Sequence, residues 1–475
     1  MTAEFQQPDW VEPREYQQGA IESWIRAEAR GVFNMATGTG KTVTSLLATA
    51  TLANNTSSSF ALVIAVPYQH LVDQWAEDLR DFGANPALAY KSRRDWQERI
   101  EGDLTEFRLG SREMPVIITT HTTFASDAFQ RILGRIERSP TMLIADEMHH
   151  LGAPHLSSSL PDHIDFRLGL SATPRRFYDE EGTETLFEYF NDVVFEYSLQ
   201  EAIDNGALCE YYYVPHVIEL TADEGEEYAK LTSKIARLMH TMDGSIGDAD
   251  LQENEGLKQA LFKRARLVGT AENKLDRLAE LMQREDGIKH TLVYCGDGSV
   301  ESEISGRTKR HVDAAVDRLR ATVGIRAERF TARESQAERQ DLLDRFSEGE
   351  IQSLVAIRCL DEGVDVPATR TAYMLASSSN PRQFVQRRGR ILRNHPGKKY
   401  AVIHDFITIP PPNMGLISED EDAFSVERRM VEKELDRVNL FAEAARNHPD
   451  ADIDGIPTEG GELQRLKREY NLRQK

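Results

Sequence analysis

Short apolar runs alternate with amphipathic stretches along the first half of the chain. The runs at Gly31–Met35, Ala61–Pro67, Val116–Thr119 and Met142–Ala145 are β-rich, and the residues between them have helical spacing. That alternation predicts a parallel sheet joined by crossover helices. It returns at Thr291–Cys295, Arg326–Phe330, Ser353–Ile357, Thr371–Leu375 and Tyr400–Phe406. The expected fold class is therefore α/β, with two tandem doubly wound parallel-sheet lobes.

Between the two sets the pattern changes. Residues 222–283 are rich in Glu, Lys, Arg, Leu and Ala at helical spacing (Tyr228, Leu231, Ile235, Leu238; Leu275, Leu278, Leu281), broken by Asp243-Gly244 and Gly247-Asp248. This predicts a helical insertion or linker. After Ile407 the run Pro410-Pro411-Pro412 ends the last strand, and the acidic stretch Glu419–Asp422 leads into a helical pattern from Phe424 to Arg446. A final exposed helix is expected over Glu462–Arg473. The boundaries read from the pattern are 1–215 for the first lobe, 216–285 for the insertion, 286–408 for the second lobe and 409–475 for a helical C-terminal tail. A chain of 475 residues exceeds what one ordinary core organises, which agrees with two lobes.

Composition narrows the class. With 40% hydrophobic and 28% charged residues, the chain has apolar material for two cores and is not of disordered type. Cys209, Cys295 and Cys359 lie far apart with no paired spacing, so neither a disulfide framework nor a zinc site is expected. No apolar run approaches the roughly 20 residues that span a bilayer, and Met1–Trp10 lacks a signal pattern, so a cytoplasmic protein with no membrane partner is expected. The formal charge of −21 runs against the basic surface that phosphate binding wants. Net charge, however, speaks to solubility and steering, and a basic cleft can sit on an acidic body. The acidic excess suits either a surface adapted to a salty cytoplasm or an ordinary acidic protein.

Two segments carry chemistry. Met35-Ala-Thr37-Gly38-Thr39-Gly40-Lys41-Thr42 follows an apolar strand and opens a helical pattern. This is the context of a phosphate loop, in which glycines let backbone N–H groups crowd a phosphate, Lys41 reaches the β- and γ-phosphates and Thr42 offers a hydroxyl to Mg²⁺. The first glycine of the commoner spacing would fall at Met35, so the match is to a seven-residue Ala-Thr-Gly-Thr-Gly-Lys-Thr variant. Ile144-Ala-Asp146-Glu147-Met-His149 closes another apolar strand. Asp146 is placed to hold Mg²⁺ and Glu147 to polarise an attacking water. The expected cofactors are ATP and Mg²⁺.

With those two elements the chain resembles the superfamily 2 helicases and translocases, whose fold is a pair of RecA-like lobes. Arg14-Glu-Tyr16-Gln17 resembles the family's adenine-reading element. Val66-Pro67, Leu71-Val72-Asp-Gln74-Trp75 and Thr119-Thr120-His-Thr122 resemble first-lobe segments that grip strand phosphates, and Leu170-Ser171-Ala-Thr173-Pro174 resembles the segment that couples hydrolysis to strand contact. His149 is implied to couple the hydrolysis site to the second lobe rather than to bind a metal with His150. In the second lobe, Leu292–Gly296 resembles the opening strand, and Asp361-Glu-Gly363-Val-Asp365-Val-Pro367 resembles the motif touching nucleotide and strand. Gln386-Arg-Arg-Gly-Arg390-Ile-Leu-Arg393 resembles the arginine-finger motif, with Gln386 implied in coupling and Arg382 in strand contact. Arg390 and Arg393 are expected three apart on one helix face, where they neutralise transition-state charge, an effect worth about 10³–10⁵ in related enzymes.

The spelling Asp-Glu-x-His, the phosphate-loop phrase and Tyr197–Tyr211 resemble the DNA-directed branch that holds XPB-like repair translocases and the motor subunits of type I and type III restriction enzymes. The resemblance implies an ATP-driven helicase or translocase on duplex or single-stranded DNA, in a repair or defence complex. The alternatives are a nucleotide-switched DNA clamp without unwinding and an RNA-directed helicase. No nuclease constellation is visible, so a partner nuclease or recognition subunit is expected.

Overall fold

In the computed structural model the described residues are 5–56, 59–112, 114–176, 179–240, 254–301, 308–357, 366–376, 381–409, 421–458, 460–470 and 472. The chain divides into two compact units, Met1–Asn205 and Gly206–Lys475.

The first unit is built on β1 (Arg30–Met35), β2 (Ala61–Val66), β3 (Ala87–Ala89), β4 (Val116–Thr120), β5 (Thr141–Ala145), β6 (Phe166–Ser171) and β7 (Val193–Tyr197). They form one seven-stranded sheet in the order β3-β4-β2-β5-β6-β1-β7, parallel at every pairing. Every residue of β2, β4 and β5 is buried, as apolar runs covered on both faces must be. Val63, Ile117 and Leu143 from those strands pack with Trp96, Ile100 and Leu104 of the helix Arg93–Arg108. Each such side chain contributes roughly 1.5–3 kcal/mol by leaving water. Because all strands run the same way, the residues that follow β1, β2, β4, β5 and β6 gather on one rim of the sheet, where ligands of such sheets bind.

The second unit holds β8 (Glu210–Glu219), β9 (Thr291–Tyr294), an antiparallel pair β10 (Ser299–Glu301) and β11 (Thr308–Arg310), β12 (Ala327–Phe330), β13 (Ser353–Ala356), β14 (Thr371–Met374) and β15 (Tyr400–Ile409). Its main sheet has six strands in the order β12-β13-β9-β14-β15-β8, again all parallel. Two parallel α/β sheets in tandem are the architecture of RecA-like lobes.

The boundary between units differs from the sequence expectation of 215. β8 pairs with β15 from Glu210↔Tyr400 to Glu219↔Ile409, so its residues belong to the second sheet and the division falls at Asn205/Gly206. The run Tyr211-Tyr212-Tyr213-Val214 has strong strand propensity, but only its distant partner decides which sheet it joins. The helical stretch resolves into Ala222–His240, Glu255–Gly269 and Asn273–Gln283. The first of these packs on the second and on the C-terminal helix Glu421–Ala442. That helix is tied to the sheet by a buried ion pair, Arg437 Nε to Asp405 Oδ2 at 3.0 Å, with the Tyr213 hydroxyl donating to the same carboxylate at 2.8 Å. The following segment covers the free edge of β8. Arg446 N–H donates to Tyr211 O at 2.9 Å, the Asn447 amide pairs with both backbone groups of Tyr213, and Glu462 accepts from Val217 N–H at 3.1 Å. Among the described residues no helix is long and apolar enough to cross a membrane.

Candidate functional site

Residues 36–40 link β1 to the helix Lys41–Asn55. Gly38 and Gly40 have φ of 89° and 79°, left-handed values that a side chain would strain, which is why glycine occupies both. The helix begins at Lys41 with no acidic residue in its first turn, so its free N–H groups and dipole face the loop unneutralised. Lys41 Nζ donates to Met35 O at 3.1 Å and Thr39 Oγ1 to Ala36 O at 2.7 Å. Thr37 Oγ1 is buried with no hydrogen-bond partner. An orphaned hydroxyl beside free amides fits a bound polyphosphate, and these residues would hold one.

The strand order places the acids beside that loop. β6 lies between β5 and β1, so Ser171 at the end of β6 stands between Asp146 after β5 and the loop after β1. Asp146 Oδ2 accepts from the Trp75 indole at 3.0 Å and Oδ1 from Glu147 N–H at 3.0 Å. Both oxygens of the Asp146 carboxylate thus carry a donor, and with the Thr42 hydroxyl it would offer oxygen ligands to a magnesium ion. Glu147 sits at φ 46°, ψ 50°, a left-handed conformation costing about 1–2 kcal/mol for a side-chain-bearing residue. The strained turn aims its carboxylate at His149, with Nδ1 of the buried ring 3.4 Å from Glu147 Oε2 and 3.2 Å from Ser171 Oγ. Ser171 Oγ in turn accepts from Thr173 N–H at 3.1 Å. The Arg176 guanidinium bonds His149 O and pairs with Asp179 at 2.6 Å, fixing the histidine backbone. Glu147, His149, Ser171 and Thr173 thus form one connected chain.

The other expected residues of this unit divide along the rim. Gln17 is buried, its amide accepting from Arg14 N–H at 2.9 Å and donating to Thr44 Oγ1 at 3.0 Å. Tyr16 donates to Thr39 O at 2.7 Å. Pro67 after β2 is half-buried, Gln74 and Thr122 are exposed, and Thr120 is buried, accepting Thr123 N–H as a helix cap. The strand-contact candidates therefore follow β2 and β4, on the side of β5 away from the phosphate loop. His150 stands beside His149 and His121. Its ring lies 4.4 Å from that of His149 and 6.1 Å from that of His121, and among the described residues no group of three or more His, Cys, Asp and Glu could hold a metal. Burial, aided by His150, pushes the His121 imidazole down to about 3.

In the second unit the helix Pro381–Ile391 carries Gln386 and Arg390, both half-buried. Arg387 and Arg388 point inward. Arg387 donates to Ala376 O at 3.1 Å and lies over the Tyr294 ring, while Arg388 donates to Leu440 O at 2.8 Å and lies over Phe441. Arg393 is not on the same helix face as Arg390, because the helix stops at Ile391 and Arg393 forms a bridge with Leu208. The cause is tertiary. Lys398 Nζ takes the carbonyls of Ile391 and Arg393, and Cys209 N–H takes that of Leu392 at 2.8 Å, leaving none of the three for a further helical turn. Arg382 lies on the helix with its side chain outside the description, and Gly363 and Asp365 lie outside the described residues.

Two partnerships escape sequence reading: the motifs name Trp75 and Tyr197, but not that Trp75 donates to Asp146 or that Tyr197 stacks on Tyr16.

Residues 10–176 match the family described as "Type III restriction enzyme, res subunit", and residues 273–395 match "Helicase conserved C-terminal domain". The chain is 26% identical over 415 residues to "DNA 3'-5' translocase XPB2" of Sulfurisphaera tokodaii, covering 84% of this chain and 82% of that protein. It is 26% identical over 384 residues to "Putative DNA 3'-5' helicase Rad25" of Haloarcula marismortui, covering 80% of this chain and 50% of the relative. Among solved structures, "ATP-dependent Type ISP restriction-modification enzyme LlaBIII bound to DNA" shares the fold with a TM-score of 0.61 at 16% identity, over 98% of this chain and 32% of that one.

Proposed function

This chain belongs to the superfamily 2 helicases and translocases, on the branch of XPB-like translocases and restriction-enzyme motors, and from that premise we propose that it spends ATP to move along or open DNA. One observation carries the reading: the chain Glu147–His149–Ser171–Thr173 starts at the acid after β5 and ends in the segment after β6, beside the phosphate loop. Such a chain can pass a change at the hydrolysis site to residues 171–174, the segment that resembles the one coupling hydrolysis to strand contact.

The roles follow from the residue chemistry. Thr37 to Thr42 would hold the triphosphate and Thr42 with Asp146 the Mg²⁺, which lowers the charge on the phosphates when bound. Glu147 accepts a proton from the attacking water, and the strained turn keeps its carboxylate in place. Gln17 reads the adenine edge. Pro67, Gln74, Thr120, Thr122 and Arg382 contact the strand, mostly through phosphates, so sequence preference is weak. Arg390 and Arg393 supply positive charge to the transition state, and Gln386, Gly363 and Asp365 link nucleotide to strand, on the strength of the motifs alone. The enzyme acts in the cytoplasm, where ATP and DNA meet, with a partner nuclease or recognition subunit.

The test is stimulation of ATP hydrolysis by duplex DNA, single-stranded DNA and RNA, read beside strand-displacement and triplex-displacement assays. DNA-stimulated hydrolysis with displacement is expected. Stimulation by RNA alone overturns the choice of DNA, and DNA-stimulated turnover with neither kind of displacement overturns movement in favour of a nucleotide-switched clamp.

A further inference from the structure

Two tyrosines hold the phosphate loop from outside. Tyr197, the last residue of β7, is 3% exposed, and its ring stacks on that of Tyr16 with centroids 4.1 Å apart and planes within 11°. The Tyr197 carbonyl accepts from Ala36 N–H at 2.9 Å, and the Tyr16 hydroxyl donates to Thr39 O at 2.7 Å. The Tyr197 hydroxyl is itself fixed, donating to Glu201 O at 3.3 Å and accepting from Asn205 Nδ2 at 3.2 Å. Both ends of the loop are therefore bonded to one stacked pair.

Peptide planarity turns those bonds into an orientation. In a trans peptide the C=O and the N–H of the next residue point in opposite directions. Drawing Ala36 N–H toward Tyr197 sends the Met35 carbonyl the other way, and there it meets Lys41 Nζ at 3.1 Å. Drawing Thr39 C=O toward Tyr16 likewise turns Gly40 N–H to the opposite side. A phosphate cradle needs amides turned toward the anion, which the Thr39–Gly40 plane supplies, while at the other plane the Met35 carbonyl holds the Lys41 ammonium in place.

We propose that Tyr197 is a positioning residue for nucleotide binding: stacked on Tyr16, it sets the two peptide planes at the ends of the phosphate loop, so the pair acts on the polyphosphate whatever base it carries. The inference rests on the ATPase reading above, and it gives Tyr16 a task distinct from reading adenine.

The test uses the full chain and steady-state hydrolysis of ATP and of GTP. Tyr16→Phe keeps the stack and removes the hydroxyl bond, Tyr197→Leu removes the stack, Tyr197→Phe keeps it, and Gln17→Ala reports on base reading. Tyr16→Phe and Tyr197→Leu should raise KM for both nucleotides by the same factor, about three- to tenfold, the scale of one lost hydrogen bond. Their kcat should stay within about twofold, as loss of uniform binding requires. Tyr197→Phe should restore wild-type KM, and Gln17→Ala should change the ATP:GTP ratio. An unchanged KM in Tyr16→Phe, or a shifted ATP:GTP ratio in it, overturns the proposal. Should Tyr197→Leu fail to fold, Tyr197→Met takes its place as the variant without the stack, and an unchanged KM in it overturns the role of Tyr197. A wild-type chain that hydrolyses neither nucleotide overturns the activity itself, a result distinct from any difference among variants.

Discussion

Nε1 of Trp75 donates to Oδ2 of Asp146 at 3.0 Å, joining the helix that follows β2 to the acid that follows β5. The other carboxylate oxygen is held by the Glu147 amide at 3.0 Å, so the indole fixes the rotation of the group proposed to hold Mg²⁺. Trp75→Phe keeps most of the packing and deletes the donor. The expected result is a folded enzyme less stable by about 1.5–3 kcal/mol, the range for a bond to a charged group. Its ATPase should also need several-fold more Mg²⁺ for half-maximal rate, an estimate on the scale of one such bond. A Mg²⁺ titration that matches wild type would show that Asp146 is oriented without the indole.

Glu147 combines a left-handed backbone with a carboxylate 3.4 Å from His149, an arrangement that spends strain on aiming one side chain. Glu147→Gln preserves shape and removes the base. Nucleotide binding and the thermal midpoint should stay near wild type, while single-turnover hydrolysis falls by about 10²–10⁴, the usual worth of a positioned base. Full-rate hydrolysis by this variant would remove Glu147 from the reaction.

What could be read from sequence divides along the same line as those two residues. Lys41, Asp146 and Glu147 stand out because their chemistry depends on neighbours a few positions away, in a strand, a turn and a helix start. Trp75 and Tyr197 stand out only as members of quoted motifs, and their partners Asp146 and Tyr16 are brought near only by the strand order. β8 was hidden for the same reason, and its aromatic run gained a place in the second sheet only through pairing with Tyr400–Ile409. Arg393 looked helical because period alone continues past Ile391, whereas Lys398 and Cys209 capture the carbonyls that would have continued it. The parallel-sheet class needed none of this, since alternating apolar runs and helical stretches state it directly.

Stability should fall in acid, and His311 offers a way to measure why. The ring is fully buried, and burial with the nearby Lys274 charge pushes it down to about 3. In the unfolded chain the same group titrates near about 6.5. Between those values the unfolded state binds a proton that the folded state refuses, so stability is complete above about pH 6.5 and declines as pH drops toward 3, at up to about 1.4 kcal/mol per pH unit for each such group. His121, also held down to about 3, adds to the slope. Urea unfolding of His311→Leu at pH 7, 5.5 and 4.5, sampled at about those values across this window, should give a shallower decline than wild type. Parallel curves would mean that the ring does not carry the effect.

The edge of β8 yields the last expectation. An edge strand with open N–H and C=O groups invites pairing with another chain, and folds suppress this by covering the edge. Here the cover is made of single residues rather than a strand. Asn447 Oδ1 accepts from Tyr213 N–H and its Nδ2 donates to Tyr213 O, both at 2.9 Å, imitating the two bonds a neighbouring strand would make, while Glu462 takes Val217 N–H at 3.1 Å. Replacing both with alanine leaves those backbone groups without their partners at a cost of roughly 1–3 kcal/mol each. The Asn447→Ala/Glu462→Ala variant should melt at lower temperature and, because the freed groups are spaced for ladder pairing, associate with itself as concentration rises in light scattering. Glu462→Ala alone leaves Tyr213 covered and should remain monodisperse under conditions where the double variant associates. A double variant that melts lower but never associates would show that the remaining cover suffices against pairing; one that melts like wild type would show that the tail contacts add nothing to the fold.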